Sequence, residues 1–265
     1  MRRRRRDGKQ LRAGKSERDV GLMQVIADLP EIAGPVANVA EHPAGQIPRP
    51  ARRSPDDVVY AALLPWQRLR HALRERNPDG QETFLCVHGE PTWGYLYRNI
   101  IPRLARYGRV VVPDHMGFGK CETPQDRAYT IEELCDNLDR LMLDLDLTNL
   151  TLVIQDWGEA IGGAIAYRHP ERVKRLCVMN AIVGGRVPDC AGSFGLPPWL
   201  QWVSGPAFEP TIKNLSATAL SVMKRVGFKS TAQVDETWIR DYAAPFPTPE
   251  SCIAAYRFPQ CINDR

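Results

Sequence analysis

Short apolar runs alternate with helical patterns of apolar residues through the middle of the chain. Brief apolar runs bounded by turn residues predict buried strands over residues 83–87, 109–113, 150–154 and 172–180. Apolar residues at helical spacing predict helices over residues 95–107, 131–145 and 160–167. Strands that alternate with helices in this way indicate a mostly parallel sheet with helices on both faces.

The helix predicted over residues 131–145 has a clear start. Thr130 to Glu133 form a capping box, in which a hydroxyl and a carboxylate each satisfy an unpaired N–H at the beginning of a helix. The apolar residues of this helix share one face, which predicts a scaffold helix packed on the sheet: Ile131, Leu134, Leu138, Leu141, Met142 and Leu145.

These patterns divide the chain into four regions. Residues 1–57 are rich in Arg, Pro, Ala and Gly and predict an unstructured lead-in. Residues 58–183 carry the alternating strands and helices of a core, although 58–77 is ambiguous. Residues 184–245 change to loops and irregular helical patches, which predict an inserted helical subdomain, and residues 246–265 return to the core.

Positive charge is concentrated in the lead-in. The chain has a formal net charge of +4, but its first 19 residues hold nine basic and three acidic residues, so the remainder is slightly acidic. No apolar stretch follows the Arg2 to Arg6 block, which argues against a signal peptide. No nucleic-acid-binding pattern follows it either, so we expect a solvated tail and no nucleic-acid partner.

Composition also indicates the cellular compartment and whether a metal or cofactor is expected. No run reaches the roughly 18 apolar residues that a membrane span requires, so no membrane partner is expected. The seven cysteines are scattered without the spacing of a metal site, and several lie within apolar runs. This usage favours a reducing cytoplasm and predicts neither a metal nor a cofactor.

The stretch from Leu150 to Gly163, LTLVIQDWGEAIGG, carries the strongest chemical signal. A short strand pattern turns at Asp156 directly into a helix pattern, which is the arrangement of a nucleophile elbow. Gly158 supplies the small residue that such a tight turn needs. A carboxylate at this position attacks an alkyl carbon and forms a covalent ester. The alternative is a solvated aspartate at the end of a strand.

The sequences QDWG, at residues 155–158, and HGEPTW, at 88–93, resemble those of haloalkane dehalogenases. The resemblance continues through PDHMGFGK, at 113–120, and DYAAPFP, at 241–247, and extends over roughly residues 78–259. It implies an α/β-hydrolase fold with an inserted helical cap. It also implies a monomeric enzyme that cleaves carbon–halogen bonds of small haloalkanes with water, releasing alcohol and halide.

The resemblance assigns roles to individual residues. Asp156 is the implied nucleophile, and the backbone N–H groups of Glu90 and Trp157 form the implied oxyanion hole. The Glu90 side chain is expected to help place the hydrolytic water. The Trp157 indole N–H is the implied first halide donor, because such a donor stabilises developing negative charge. In one branch of the family, the second donor is an asparagine after His-Gly, and Glu90 occupies that position here.

The other branch uses a tryptophan of the cap as the second halide donor. Trp199 is the first choice for this role and Trp202 is the second, and ordinary packing in the cap is the alternative for either residue. His88 is expected to be a structural loop histidine, because the family's catalytic histidine lies near the C-terminus. Cys121, where the family usually has serine, is expected to be a packing residue.

Two features depart from the family pattern. The histidines are His42, His71, His88, His115 and His169, and none follows the predicted cap. We therefore expect no catalytic histidine or partner acid in this chain, and a core that lacks its C-terminal part. Glu159 replaces the usual glycine. A carboxylate is favourable at a helix start, but like charge is expected to raise the pKa of Asp156.

Two other functions remain open. An epoxide hydrolase would need tyrosines in the cap to activate the epoxide oxygen, and Tyr242 is the only candidate before Tyr256. A catalytically inactive hydrolase-fold binding protein would agree with the missing histidine and acid.

Overall fold

The computed structural model describes residues 40–41, 58–64, 69–181, 201–214 and 234–261, with side chains from Ala72 onward. All of these residues belong to the second of two units, Pro35–Arg265, and the first unit, Met1–Gly34, lies outside the described residues. Trp199 and much of the region predicted to form the cap also lie outside them.

A seven-stranded sheet runs through the described residues. Its strands are Ala40–Glu41 (β1), Val58–Leu64 (β2), Leu69–Arg76 (β3), Thr83–Val87 (β4), Arg109–Pro113 (β5), Leu150–Gln155 (β6) and Val173–Met179 (β7). They lie in the order β1-β2-β3-β5-β4-β6-β7. β3 is antiparallel to both β2 and β5, and the other neighbouring pairs are parallel.

The strands predicted from apolar runs are confirmed as β4 to β7. β4 and β6 pair in parallel from Thr83 opposite Leu150 to Val87 opposite Ile154, and these residues are buried. Strands covered on both faces have no solvent-facing positions, which explains why their sequences are apolar runs and do not alternate. The ambiguous segment 58–77 contains β2 and β3, and β1 lies within the predicted lead-in.

Short helices flank the sheet. Six α-helices have bounds within the described ranges: Ile101–Leu104 (α1), Ile131–Asp144 (α2), Gly158–Arg168 (α3), Phe208–Asn214 (α4), Glu236–Ala243 (α5) and Ile253–Gln260 (α6). Short 3₁₀-helices span Gly94–Tyr97, Pro170–Arg172 and Glu250–Cys252. No helix within the described ranges is both long enough and apolar enough to cross a membrane.

The predicted start of α2 is confirmed. Thr130 Oγ1 accepts a hydrogen bond of 3.1 Å from the N–H of Glu133. The Glu133 carboxylate reaches back to the N–H of Tyr129, one residue before the position that a standard capping box uses. The apolar face of α2 is buried against the main core, mainly through Leu134, Leu138, Leu141 and Met142.

The prediction of one helix over residues 95–107 is wrong. The segment forms the 3₁₀-helix Gly94–Tyr97 and then the separate helix α1. Pro102 lies at the start of α1, where its missing N–H is tolerated, so a helix begins there and does not run through the residue. As a result, Tyr95 joins a small aromatic cluster, whereas Tyr97 is fully buried beneath the strands.

Candidate active site

The predicted elbow is present between β6 and α3. Asp156 follows the last residue of β6 and adopts a φ of +54°, in the left-handed region that side chains other than glycine rarely occupy. Its backbone N–H donates to Met179 O at the end of β7. A strained backbone of this kind is retained where the surrounding structure fixes it, and such positions cluster at active sites.

Two glycines allow other backbone segments to approach the elbow. A Cβ atom at Gly158 would overlap Val87 O and lie 2.8 Å from His88 O. A Cβ atom at Gly89 would lie 2.5 Å from Asp156 Oδ1 and 2.8 Å from Gln155 O. The loop after β4 therefore touches the carboxyl group directly, and only glycine fits at both contacts.

Backbone donors converge on the Asp156 carboxylate. The N–H of Glu90 donates to Asp156 Oδ1 over 3.2 Å, and the N–H of Trp157 also donates to this carboxylate. These are the two groups that the sequence predicted as an oxyanion hole. In the unreacted protein they hold the carboxylate of Asp156, and they would contact the carbonyl oxygen of an ester formed there.

Burial changes the ionisation of both carboxyl groups at the site. It raises the pKa of Asp156, while the donors from Trp157 and Glu90 oppose this rise. Although part of Glu90 stays accessible, burial and then the Asp156 charge raise its pKa well above the usual range. Glu90 is therefore the group that holds a proton more readily. The like charge of Glu159 was expected to raise the pKa of Asp156, but burial is the cause of the rise.

The two candidate halide donors in the described residues lie in aromatic surroundings. Trp157 is partly buried on the main core, with its ring centroid 4.9 Å from that of Phe258. Among the described residues, no acceptor pairs with its indole N–H. Trp202 also packs on this core, with its ring edge-on to Phe208 at a centroid distance of 4.7 Å. The first choice for the cap donor, Trp199, lies outside the described residues.

The histidines near the elbow have structural partners. His88 is fully buried, donates from Nδ1 to Gly89 O over 2.9 Å and accepts at Nε2 from the N–H of His115. His115 returns a bond from Nε2 to His88 O over 2.9 Å. His169 follows the last residue of α3, about 16 Å along an 11-residue helix from the elbow, and pairs with Asp139. The expectation of a structural His88 agrees with these contacts.

The loop after β5 is also held by internal hydrogen bonds. The buried Asp114 carboxylate accepts the N–H of Gly94 over 2.6 Å and the N–H of Lys120 over 3.0 Å. Cys121 Sγ donates to Asp114 O and accepts from the N–H of Ala72, and burial raises the pKa of its thiol. Cys121 therefore has the contacts of a packing residue, as expected.

Two tyrosines that support the site were not identified from the sequence. Tyr97 is fully buried, and its hydroxyl lies 2.8 Å from Val87 O and 3.0 Å from Val153 O, which links β4 and β6 below the elbow. Tyr95 donates to the Asp241 carboxylate, 146 residues away in sequence. Both lie in the segment predicted to form a helix over residues 95–107, and no local signal separates them from ordinary core residues.

The described residues contain no cluster of three or more His, Cys, Asp or Glu side chains that could hold a metal ion. The elbow presents a fixed carboxylate, backbone N–H donors and an indole N–H donor.

Residues 82–205 match the family model of the α/β-hydrolase fold. This match, the sheet order and the elbow together show that the chain has the α/β-hydrolase fold. Within this fold class, the chain is homologous to haloalkane dehalogenases and to oxetan-2-one decarboxylases.

Three relatives illustrate this homology. A cis-3-alkyl-4-alkyloxetan-2-one decarboxylase of Shewanella oneidensis is 35% identical over 195 residues, which cover 69% of this chain and 58% of that protein. Haloalkane dehalogenase 1 of Mycobacterium tuberculosis is 34% identical over 180 residues, which cover 67% and 56%. The solved structure of haloalkane dehalogenase DpaA from Paraglaciecola agarilytica, described as tetrameric, superposes with a TM-score of 0.63. It is 35% identical, with 78% of this chain and 66% of that chain covered. The chain thus spans less than two thirds of the length of these relatives.

Proposed function

We propose that Asp156 forms a covalent alkyl ester and that haloalkanes are its substrates. The observation that carries this proposal is the strained Asp156 whose Oδ1 receives the Glu90 N–H over 3.2 Å. One carboxylate oxygen is thereby held, and the other can attack carbon. The new C–O bond forms as the carbon–halogen bond breaks, and the halide leaves with the bonding electron pair.

The departing halide needs a donor, and we assign this role to the Trp157 indole N–H. It follows the nucleophile directly and lies beside apolar Phe258, where water competes less for the halide. A second donor from the cap is assigned to Trp199 or Trp202, in keeping with the aromatic content of that region. The substrates are then small halogenated alkanes and water, and halide is a product.

Hydrolysis of the ester requires water to attack the ester carbonyl carbon. The oxygen of the tetrahedral intermediate would keep its contacts with the N–H groups of Glu90 and Trp157. His88 and His115 are held by backbone partners, so no catalytic histidine or acid is assigned among the described residues. We therefore expect the ester to persist. We further propose that the protein is a monomer and that it is cytoplasmic. Its described cysteines are free, which supports a reducing compartment.

The test is covalent labelling of the full-length chain. After incubation with 1-bromobutane, intact mass spectrometry should show one added butyl group, and peptide mapping should locate it on Asp156. Asp156→Asn should show no adduct, because an amide is a far weaker nucleophile. Free bromide should not exceed one equivalent of protein. Equal labelling of wild type and Asp156→Asn would remove this residue from the role.

A second candidate function is favoured by the identity of 35% to a cis-3-alkyl-4-alkyloxetan-2-one decarboxylase. Asp156 would attack the saturated ring carbon bonded to the ring oxygen, and the bond between that carbon and the ring oxygen would break. The former lactone carbonyl group would then be a free carboxylate on the alkyl group. The carboxylate would then leave as carbon dioxide, and the electrons of the broken C–C bond would form the alkene. The electrons of the ester C–O bond would return to the Asp156 carboxylate. The cycle regenerates the carboxylate without activated water.

The two candidates differ in the fate of the enzyme. With a cis-dialkyl oxetan-2-one, the second candidate predicts many equivalents of alkene and carbon dioxide and no accumulated adduct. With a bromoalkane, the first predicts a single halide equivalent and a stable adduct. Asp156→Asn should abolish both reactions. Turnover of the oxetanone by Asp156→Asn would refute the second candidate.

A further inference from the structure

A small aromatic cluster joins the loop after β4 to helix α5. We define the aromatic clamp as Trp93, Tyr95, Trp238, Asp241 and Tyr242. Trp93, Tyr95 and Tyr242 are at most 6% exposed and form a hydrophobic cluster separate from the main core. The rings of Trp93 and Tyr95 stack at 5.6 Å, and Tyr95 meets Tyr242 edge-on at 5.2 Å.

Hydrogen bonds give the clamp a specific geometry. The hydroxyl of Tyr95 donates to Asp241 Oδ2 over 2.7 Å, and Trp93 Nε1–H donates to Asp241 O over 3.2 Å. The Arg98 guanidinium lies 4.1 Å from the centroid of the Tyr95 ring. One residue of α5 therefore holds both aromatic side chains of the loop, through its side chain and its backbone.

The clamp lies close in sequence to a proposed oxyanion donor. Trp93 is three residues after Glu90, and the intervening Thr92 bonds Gly89 O through both its N–H, at 3.0 Å, and its hydroxyl, at 2.9 Å. Gly94 is held in turn by the Asp114 carboxylate. Because this short segment is bonded internally, a shift of Trp93 carries over to the Glu90 N–H.

We propose that Tyr95 and Asp241 are positioning residues that couple the placement of α5 to the placement of the Glu90 N–H at Asp156. Neither residue touches the reacting atoms. They act by fixing a donor that must stay within hydrogen-bonding distance of the Asp156 carboxylate. The inference rests on the proposed alkylation of Asp156, and it adds two residues that this reaction depends on.

The experiment compares alkylation rate constants of the full-length chain at saturating 1-bromobutane. Tyr95→Phe deletes only the hydroxyl, and Asp241→Ala deletes its acceptor. Both should slow adduct formation roughly 10- to 100-fold, since small displacements of catalytic groups have effects of this size. Asp241→Asn keeps an acceptor oxygen for Tyr95 and should restore a rate near wild type. Tyr107→Phe removes a hydroxyl from an exposed tyrosine and should have no effect.

A double-mutant cycle identifies the interaction. If the two groups act together, Tyr95→Phe combined with Asp241→Ala should be no slower than either single variant. Hydrogen exchange should show that Tyr95→Phe reduces protection of the amides of residues 88–98 and of α5 together, while α3 stays protected. A purely structural role would lower stability and leave the saturated alkylation rate unchanged.

Two results would overturn the inference. One is an alkylation rate in Tyr95→Phe equal to that of wild type. The other is loss of protection in α5 alone, with residues 88–98 unaffected. If the wild-type chain forms no adduct at all, the proposed function fails separately. Hydrogen exchange then decides the coupling by itself: joint exchange of the two segments supports it, and independent exchange refutes it.

Discussion

The left-handed backbone of Asp156 leads to a prediction about stability. We expect Asp156→Gly to be more stable than Asp156→Ala, although glycine destabilises most positions relative to alanine. Both variants lose the carboxylate and its bonds to the N–H groups of Glu90 and Trp157. The comparison therefore isolates the backbone at φ +54°.

The magnitude follows from two opposing terms. An L-residue in the left-handed conformation costs roughly 1–2 kcal/mol, which alanine bears and glycine does not. Glycine loses about 0.5–1 kcal/mol more conformational entropy on folding. The difference should favour glycine by about 1 kcal/mol. For a chain of this size that amounts to roughly 2–4 °C in Tm.

The control is the same comparison of alanine with glycine at position 164, eight residues further along the chain. Ala164 lies inside α3 with ordinary helical geometry, so Ala164→Gly should destabilise by about 1 kcal/mol. The alanine-to-glycine difference should thus reverse its sign between position 156 and position 164. Urea unfolding followed by far-UV circular dichroism measures both differences, provided that the slopes with denaturant stay equal.

A single outcome would refute the reasoning. If Asp156→Gly is less stable than Asp156→Ala by the amount seen at position 164, residue 156 is not held in a strained conformation. Neither variant should form an adduct, so any gain in stability would accompany a loss of function, as expected for strain stored at an active site.

Three further predictions test other parts of the site. Gly89→Ala should destabilise by about 1–3 kcal/mol through overlap with the Asp156 side chain. Gly163→Ala should instead stabilise α3 by about 1 kcal/mol, because its Cβ would meet nothing closer than 3.9 Å. Equal unfolding midpoints for Gly89→Ala and Gly163→Ala would contradict this pair of expectations. Trp157→Phe should raise the free-energy barrier to alkylation by roughly 2–4 kcal/mol. Unchanged single-turnover rates would exclude a donor role for the Trp157 indole. Burial lowers the pKa of His88 from 6.5 to about 4, so the unfolded chain takes up its proton first as the pH falls. Stability should decrease from pH 6.5 towards pH 4, by up to about 3 kcal/mol. His88→Gln should remove this slope, His169→Asn should retain it, and a slope retained in His88→Gln would refute the assignment.

Periodicity predicted the elements whose environment is uniform along their length. β4 to β6 are largely apolar because they are buried along most of their length, whereas β7 also carries the exposed Lys174 and Arg175. α2 has one apolar face because it packs on the main core. The elbow was also predictable, since the strand pattern, Asp156 and Gly158 are adjacent in sequence. These features depend only on local sequence, which is why a single chain reveals them.

The remaining features depend on contacts between distant residues. The pairing of Tyr95 with Asp241 spans 146 residues, and nothing near either residue predicts the other. The helix predicted over residues 95–107 failed for a related reason. Tyr95 packs against the distant Tyr242 in the aromatic clamp, and Pro102 begins a separate helix, so no single helical face runs through the segment. The β2–β3 hairpin likewise becomes clear only through the register that joins the two strands.

The two candidate reactions need the same first step and the same electrostatics. In hydrolysis, negative charge develops on the ester carbonyl oxygen of Asp156, and in the decarboxylating elimination it develops on the departing carboxylate of the same residue. Oδ1 is held by the Glu90 N–H in either case, so the donors at the elbow do not discriminate between the two outcomes. What discriminates is the alkyl group itself. If the carbon next to the ester-bearing carbon carries a carboxylate, the ester can expel carbon dioxide and form an alkene, whereas a simple alkyl ester must wait for water. The identity of the substrate, rather than a further change at the elbow, therefore determines whether this site completes a cycle.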